Sequence, residues 1–114
     1  MNVYLVAQEI AHMVQKNIKR REDVLVLNIS NQVIIRFGRV EWTWRLAILD
    51  DRLMYQMSFL WKTSVSTYID KGNHTMLEGS ELLGDPLCFQ KIANMISSRI
   101  RIKEKFFASS DHQA

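Results

Sequence analysis

The stretch that most limits what this chain can fold into runs from Val33 to Trp61. Apolar and polar residues alternate strictly through Val40-Glu41-Trp42-Thr43-Trp44-Arg45-Leu46-Ala47-Ile48. A repeat of two is the signature of a strand with one buried face, because successive side chains point to opposite sides of the sheet. Val33, Ile35 and Phe37 alternate in the same way just before it, and Gly38-Arg39 separates the two runs. Glycine in the first position of a two-residue hairpin loop supplies the positive φ that such a turn needs.

The turn predicts a register. With Phe37 opposite Val40, Ile35 faces Trp42, Val33 faces Trp44 and Arg36 faces Glu41, so the large apolar residues share one side and opposite charges meet on the other. Asp50-Asp51 closes a second tight hairpin with Leu49 opposite Arg52. Trp44 then faces Met57, Trp42 faces Phe59 and Val40 faces Trp61, again on the tryptophan side. A slip of one residue would turn all of these to the wrong face. Leu53, Met57, Leu60, Trp61, Val65 and Tyr68 also approximate helical spacing, so a helix over 52–62 competes. The closing register favours the strand, as do the β-branched and aromatic residues that follow.

Around this meander the chain reads as helix, strands, helix. Val3, Val6, Ala7, Ile10, Val14 and Ile18 form a helical stripe, capped by Asn2, with Lys16, Lys19, Arg20 and Arg21 at the end that favours positive charge. Asp23 to Ile29 reads as a first strand turning at Ser30-Asn31, and a fifth strand is expected at about 65–69. Residues 70–85, with Gly72, Gly79 and Gly84, form the one long irregular segment. Short helical turns are expected at 75–78 and 80–83, and the segment has the option of folding over the sheet. Asp85-Pro86 starts the last helix, with Phe89, Ile92, Ala93, Ile96 and Ile100 as its buried stripe.

The predicted architecture is therefore α+β: an N-terminal helix, an antiparallel meander of about five strands and a C-terminal helix, with both helices on one sheet face. Residues 1–108 form a single domain and 109–114 a disordered tail. Five strands spaced about 4.8 Å apart span roughly 24 Å, which two helices nearly cover.

Composition sets the functional limits. No apolar run approaches a membrane span and none reads as a secretion signal. Cys88 is the single cysteine, so no disulfide forms within the chain, and a cytoplasmic location is expected. The net charge of +3 permits an anionic partner without requiring one. There is no phosphate-binding glycine loop, no nucleophile elbow and no Cys or His pair at metal-ligand spacing. Asp50-Asp51 reads as turn chemistry, and His12, His74 and His112 fall on separate elements. A non-enzyme without metal or cofactor is expected.

The outer sheet face is more informative. It mixes Ile34, Ala47, Leu49, Met54 and Leu60 with Arg36 and Arg45, more apolar than a solvated face should be. The expected function is a small protein-binding module, such as an adaptor, dedicated chaperone or inhibitor, that forms a homodimer. Ile34, Arg36, Arg45, Met54 and Leu60 are its candidate partner-binding residues. The alternative is nucleic-acid binding through basic residues of the meander and through Arg99, Arg101, Lys103 and Lys105 of the last helix.

Overall fold

The computed structural model describes residues 1–19, 21–62, 68–69 and 75–111, with side chains described up to residue 60 (Arg20 apart) and over 77–101. Helix α1 (Val3–Asn17) begins where expected. The Asn2 side chain accepts a hydrogen bond from the Tyr4 amide at 2.9 Å, satisfying one of the donors that a helix start leaves open. Val6, Ala7, Ile10, Ala11 and Val14 turn inward.

Strands β1 (Val24–Ile29), β2 (Gln32–Phe37), β3 (Val40–Leu49) and β4 (Arg52–Lys62) form the antiparallel meander. From β2 to β4 the register is the predicted one: Val33 opposite Trp44, Trp42 opposite Phe59, Trp44 opposite Met57 and Leu49 opposite Arg52. The helical alternative for 52–62 is ruled out, since β4 pairs along its whole length. Val33, Ile35, Val40, Trp42, Trp44, Leu46 and Leu53 are almost wholly buried beneath the helices.

Three two-residue loops link these strands, and the first loop residue of each takes positive φ: Ser30 at 57°, Gly38 at 59° and Asp50 at 55°. Glycine bears this without a steric penalty, whereas an L-residue loses roughly 1–2 kcal/mol there. Ser30→Gly is therefore expected to raise stability by up to about 1 kcal/mol, the relief being partly offset by the greater freedom of glycine in the unfolded chain. Denaturant titration checks this, and an unchanged or lower midpoint would show that the Ser30 loop is not strained.

The segment after β4 departs from the sequence expectation. Its described part is not a pair of helical turns but a strand, β6 (Thr75–Leu82), paired antiparallel with β4 from Arg52 to Ser58. The short β5 (Tyr68–Ile69) pairs with Trp61 and Lys62 farther along the same edge. Thus β5 and β6 are two pieces of one fifth sheet position, with residues 70–74 between them. The rest of the expected fifth strand, 65–67, lies outside the described residues. The described part of 70–85 joins the sheet edge instead of folding across the outer face.

Helix α2 (Cys88–Asp111) follows a turn anchored by Asp85. Its carboxylate accepts from the Leu87 amide at 2.8 Å and from Lys91 Nζ at 2.5 Å, and these bonds hold it below the usual carboxylate range. Pro86 and Leu87 stay in the turn, so the helix opens at Cys88 and not at the proline. Its backbone continues to Asp111, past the expected start of a tail; residues 112–114 lie outside the described residues.

Both helices pack on the tryptophan face, giving the two-layer α+β domain. α1 lies on β1, β2 and β3, and α2 lies against α1 and β6. Ile92, Ala93, Ile96 and Ile100 of α2 complete the core begun by α1 and the sheet. Among the described residues Ser97 is the one buried polar side chain, and it both donates and accepts. It donates to the Ala93 carbonyl at 2.8 Å and accepts from Asn17 Nδ2 of α1 at 3.1 Å. Asn17 also donates to Asn94, so an amide pins the end of α1 to the middle of α2.

Candidate functional site

With the helices covering one face, the opposite face of the sheet is left to meet other molecules. The strand alternation assigns it row by row. One row holds Leu25, Arg36, Glu41 and Leu60, the next Leu27, Ile34, Thr43 and Ser58, and the third Ile29, Gln32, Arg45, Gln56 and Glu78. Ala47, Met54 and Ser80 follow, then Leu49, Arg52 and Leu82.

The predicted partner-binding residues divide into two groups. Arg45 and Met54 line an open concavity of about 480 Å³ together with Asn31, Ala47, Gln56, Glu78 and Ser80. Arg36 and Leu60 lie on either side of Glu41, about 13 Å along the sheet at four residues of rise. Arg36 Nε donates to Glu41 Oε1 at 2.6 Å, so this arginine is already engaged. Ile34 does not fit the expectation of a residue offered to a partner. It is only 8 % exposed, lying mid-sheet between Leu27 and Thr43. An interior position on the outer face is screened by its cross-strand neighbours even without a second layer.

The structure adds residues that the sequence reading passed over as site members. Leu25, Ile29, Leu49 and Leu82 are all about half exposed or more, and all project from this same face. Leu49 was visible as an outer-face residue. Leu25 and Ile29 became assignable once β1 was registered against β2, and Leu82 once 75–82 proved to be a strand. The two-residue Ser30-Asn31 turn, which sets Ile29 opposite Gln32 and so Leu25 opposite Arg36, was the signal that could have found the first two.

Polar contacts organise the concavity. Gln56 Nε2 donates to Glu78 Oε1 at 3.1 Å and Arg52 Nε to Ser80 Oγ at 2.8 Å, each tying β4 to β6. Asn31 Nδ2 donates to the Leu46 carbonyl at 2.7 Å. Arg45 is exposed and makes no hydrogen bond or ion pair with the described residues. The site thus offers an uncommitted guanidinium beside Met54 and Ala47, with Leu49 and Leu82 about 13 Å farther along the strands. Such a mixture suits a protein surface with apolar side chains and a carboxylate or carbonyl for the arginine.

Nothing comparable is arranged for chemistry among the described residues. They contain no cluster of three or more His, Cys, Asp or Glu suited to a metal ion. Cys88 is buried, and desolvation, aided by Glu81 and Asp85, raises its thiol above the ordinary value, the opposite of an activated nucleophile. Asp50 and Asp51 form the exposed β3–β4 loop. His12 is on the exposed side of α1; His74 and His112 lie outside the described residues. No described helix is long and apolar enough to cross a membrane.

Among the described side chains, the basic residues of the nucleic-acid alternative are not gathered into a track. Arg99 and Arg101 are exposed on α2, but two residues separate them by about 200° around the helix. The side chains of Lys103 and Lys105 lie outside the described residues. On the sheet, Arg36 is paired with Glu41 and Glu78 interrupts the positive charge around Arg45. Comparison with family models, with curated proteins and with solved structures gives no match to the chain.

Proposed function

We propose that this chain is a small non-catalytic protein-binding module, acting as an adaptor, dedicated chaperone or inhibitor, and that it works as a homodimer in the cytoplasm. The observation that carries this reading is the outer sheet face. Arg45, which makes no hydrogen bond or ion pair with the described residues, lies beside half-buried Met54 and exposed Ala47, with exposed Leu49 and Leu82 in a row about 13 Å farther along the strands. Removing such aliphatic area from water supplies affinity, and an arginine beside it selects the partner by its acceptor groups. A single buried thiol is compatible with a reducing compartment.

The test is partner capture by the intact chain, compared with the Met54→Glu and Leu82→Glu variants. Both positions face outward on strands whose inner neighbours hold the core, so circular dichroism and thermal midpoint should stay close to those of the parent. Loss of a central apolar contact at an interface costs about 2 kcal/mol or more, a weakening of roughly 30-fold. Capture at parental strength by both folded variants would sink the outer-face reading. Binding of mixed oligonucleotides that weakens steeply with salt would replace it with the nucleic-acid one.

A further inference from the structure

The sheet has two free edges, and they are not alike. β6 carries Glu78, Gly79 and Glu81, charges and a glycine of the kind that discourage strand addition. β1 is Val-Leu-Val-Leu-Asn-Ile, without charge, proline, glycine or bulge, and pairs with β2 over its full length. Nothing described pairs with its other side. An uncharged, regular, open strand is a ready template for another strand.

The hairpin pattern shows which backbone groups that edge presents. Ile29 and Gln32 flank a two-residue loop, and in such a hairpin the flanking residues exchange both backbone hydrogen bonds. Leu27 and Leu25 follow in the same phase, so their amides and carbonyls are spent on β2. Those of Val24, Val26 and Asn28 point outward. Two bonds elsewhere agree with this phase. Leu46 N–H donates to the Asn31 carbonyl at 2.9 Å, which fixes the β2–β3 alternation, and Val24 N–H turns away from β2 to the Arg21 carbonyl at 3.4 Å.

The geometry points to an isologous dimer in which β1 pairs antiparallel with β1 of a second copy, about a twofold axis at Val26. This inference deepens the homodimer proposed above and rests on that part of the reading. This placement uses both outward groups of Val26, the Asn28 amide and the Val24 carbonyl of each copy, while the Val24 amide stays on Arg21. Val26 exchanges hydrogen bonds with Val26 of the second copy, and Asn28 N–H donates to the carbonyl of Val24 of the second copy, with the symmetry mates completing the set. The same axis sets Leu25 against Leu27 of the second copy in the close, non-hydrogen-bonded pairs on the outer face. That contact covers Leu25, now 48 % exposed. Because Val24 to Ile29 bear no charge, a twofold brings no like charges together. The Arg21–Asp23 ion pair lies beyond the paired stretch. The Asn28 side chain is folded back onto the Ser30 and Gln32 carbonyls, which leaves the edge clear. The product is one continuous sheet whose outer faces form a single surface.

The test is solution mass by light scattering across a concentration series, with amide exchange read at Val26 and Asn28. The parent chain is expected at twice 13.4 kDa, with both amides protected and losing protection on dilution. Val26→Pro removes an amide that the single chain leaves unused, and should halve the mass to 13.4 kDa. Leu25→Lys places a charge in the seam without altering the backbone and should do the same, which keeps the inference testable if the proline variant fails to fold. A parent that is monomeric throughout, or free exchange at Val26 and Asn28 at every concentration, would overturn it. So would a dimer that survives both changes. A dimer lost with Met54→Glu but kept with Leu25→Lys would overturn the edge alone, placing self-association on the outer face. Loss of partner capture in Met54→Glu with the dimer intact would leave both readings standing.

Discussion

Replacing Trp44 by alanine is expected to cost about 3–5 kcal/mol, most of the stability of a domain this size. The side chain is fully buried between Val33 and Met57, and its ring lies 6.3 Å from that of Trp42. No single replacement can refill that volume. Trp44→Phe should behave differently. The indole Nε1 is buried without a hydrogen-bond partner among the described residues, and such an orphaned donor costs about 1–3 kcal/mol. Phenylalanine keeps much of the ring and discards the donor, so the smaller volume is offset and the expected loss is under about 1.5 kcal/mol. Denaturant unfolding of the two variants decides the matter. Equal losses would mean that the Trp44 N–H is satisfied after all, by a buried water for instance.

Gly79 should be nearly as intolerant, for the opposite reason. It faces Tyr55 across the β4–β6 pair, and the tyrosine ring lies over it. A Cβ added at Gly79 would fall on the hydroxyl and Cζ of Tyr55. The Gly79→Ala chain must therefore swing the Tyr55 ring out of its place against the core, at an expected cost of about 1–3 kcal/mol. In an open strand the same change would be favourable, because glycine is the poorer strand former. The two effects separate in a double-mutant cycle. In a Tyr55→Ala background, Gly79→Ala should be neutral or stabilising. A penalty that persists there would mean that the ring is not what excludes the side chain.

The Tyr55–Gly79 pair also explains why β6 was missed. Three glycines within 70–85 look like breakers, and one of them sits in the middle of the strand. What makes it tolerable is an aromatic residue more than twenty positions earlier that covers the bare backbone. The 3.6- and 2-residue periodicities report only neighbours in sequence, so they could not show this. By contrast, the β2–β3–β4 register was legible to the residue. Each two-residue loop fixes the phase of the next strand, and only one phase buries Trp42, Trp44 and Leu46 together.

The candidate site divides along the same line. That Arg36, Arg45, Met54 and Leu60 face away from the helices follows from strand parity, which is a local property of the chain. That Ile34 is screened while Leu25, Ile29, Leu49 and Leu82 are exposed depends on where each lies between the middle and the rim of the sheet. Strand order sets that, and strand order is tertiary. So is the pairing of Gln56 with Glu78, which shapes the concavity around Arg45. Local alternation, caps and turns thus determined the two helices, strands β1 to β4, their faces and the register from β2 to β4. Only the assembled sheet decided which of those residues remain in water, because exposure depends on neighbours that the chain brings together from a distance.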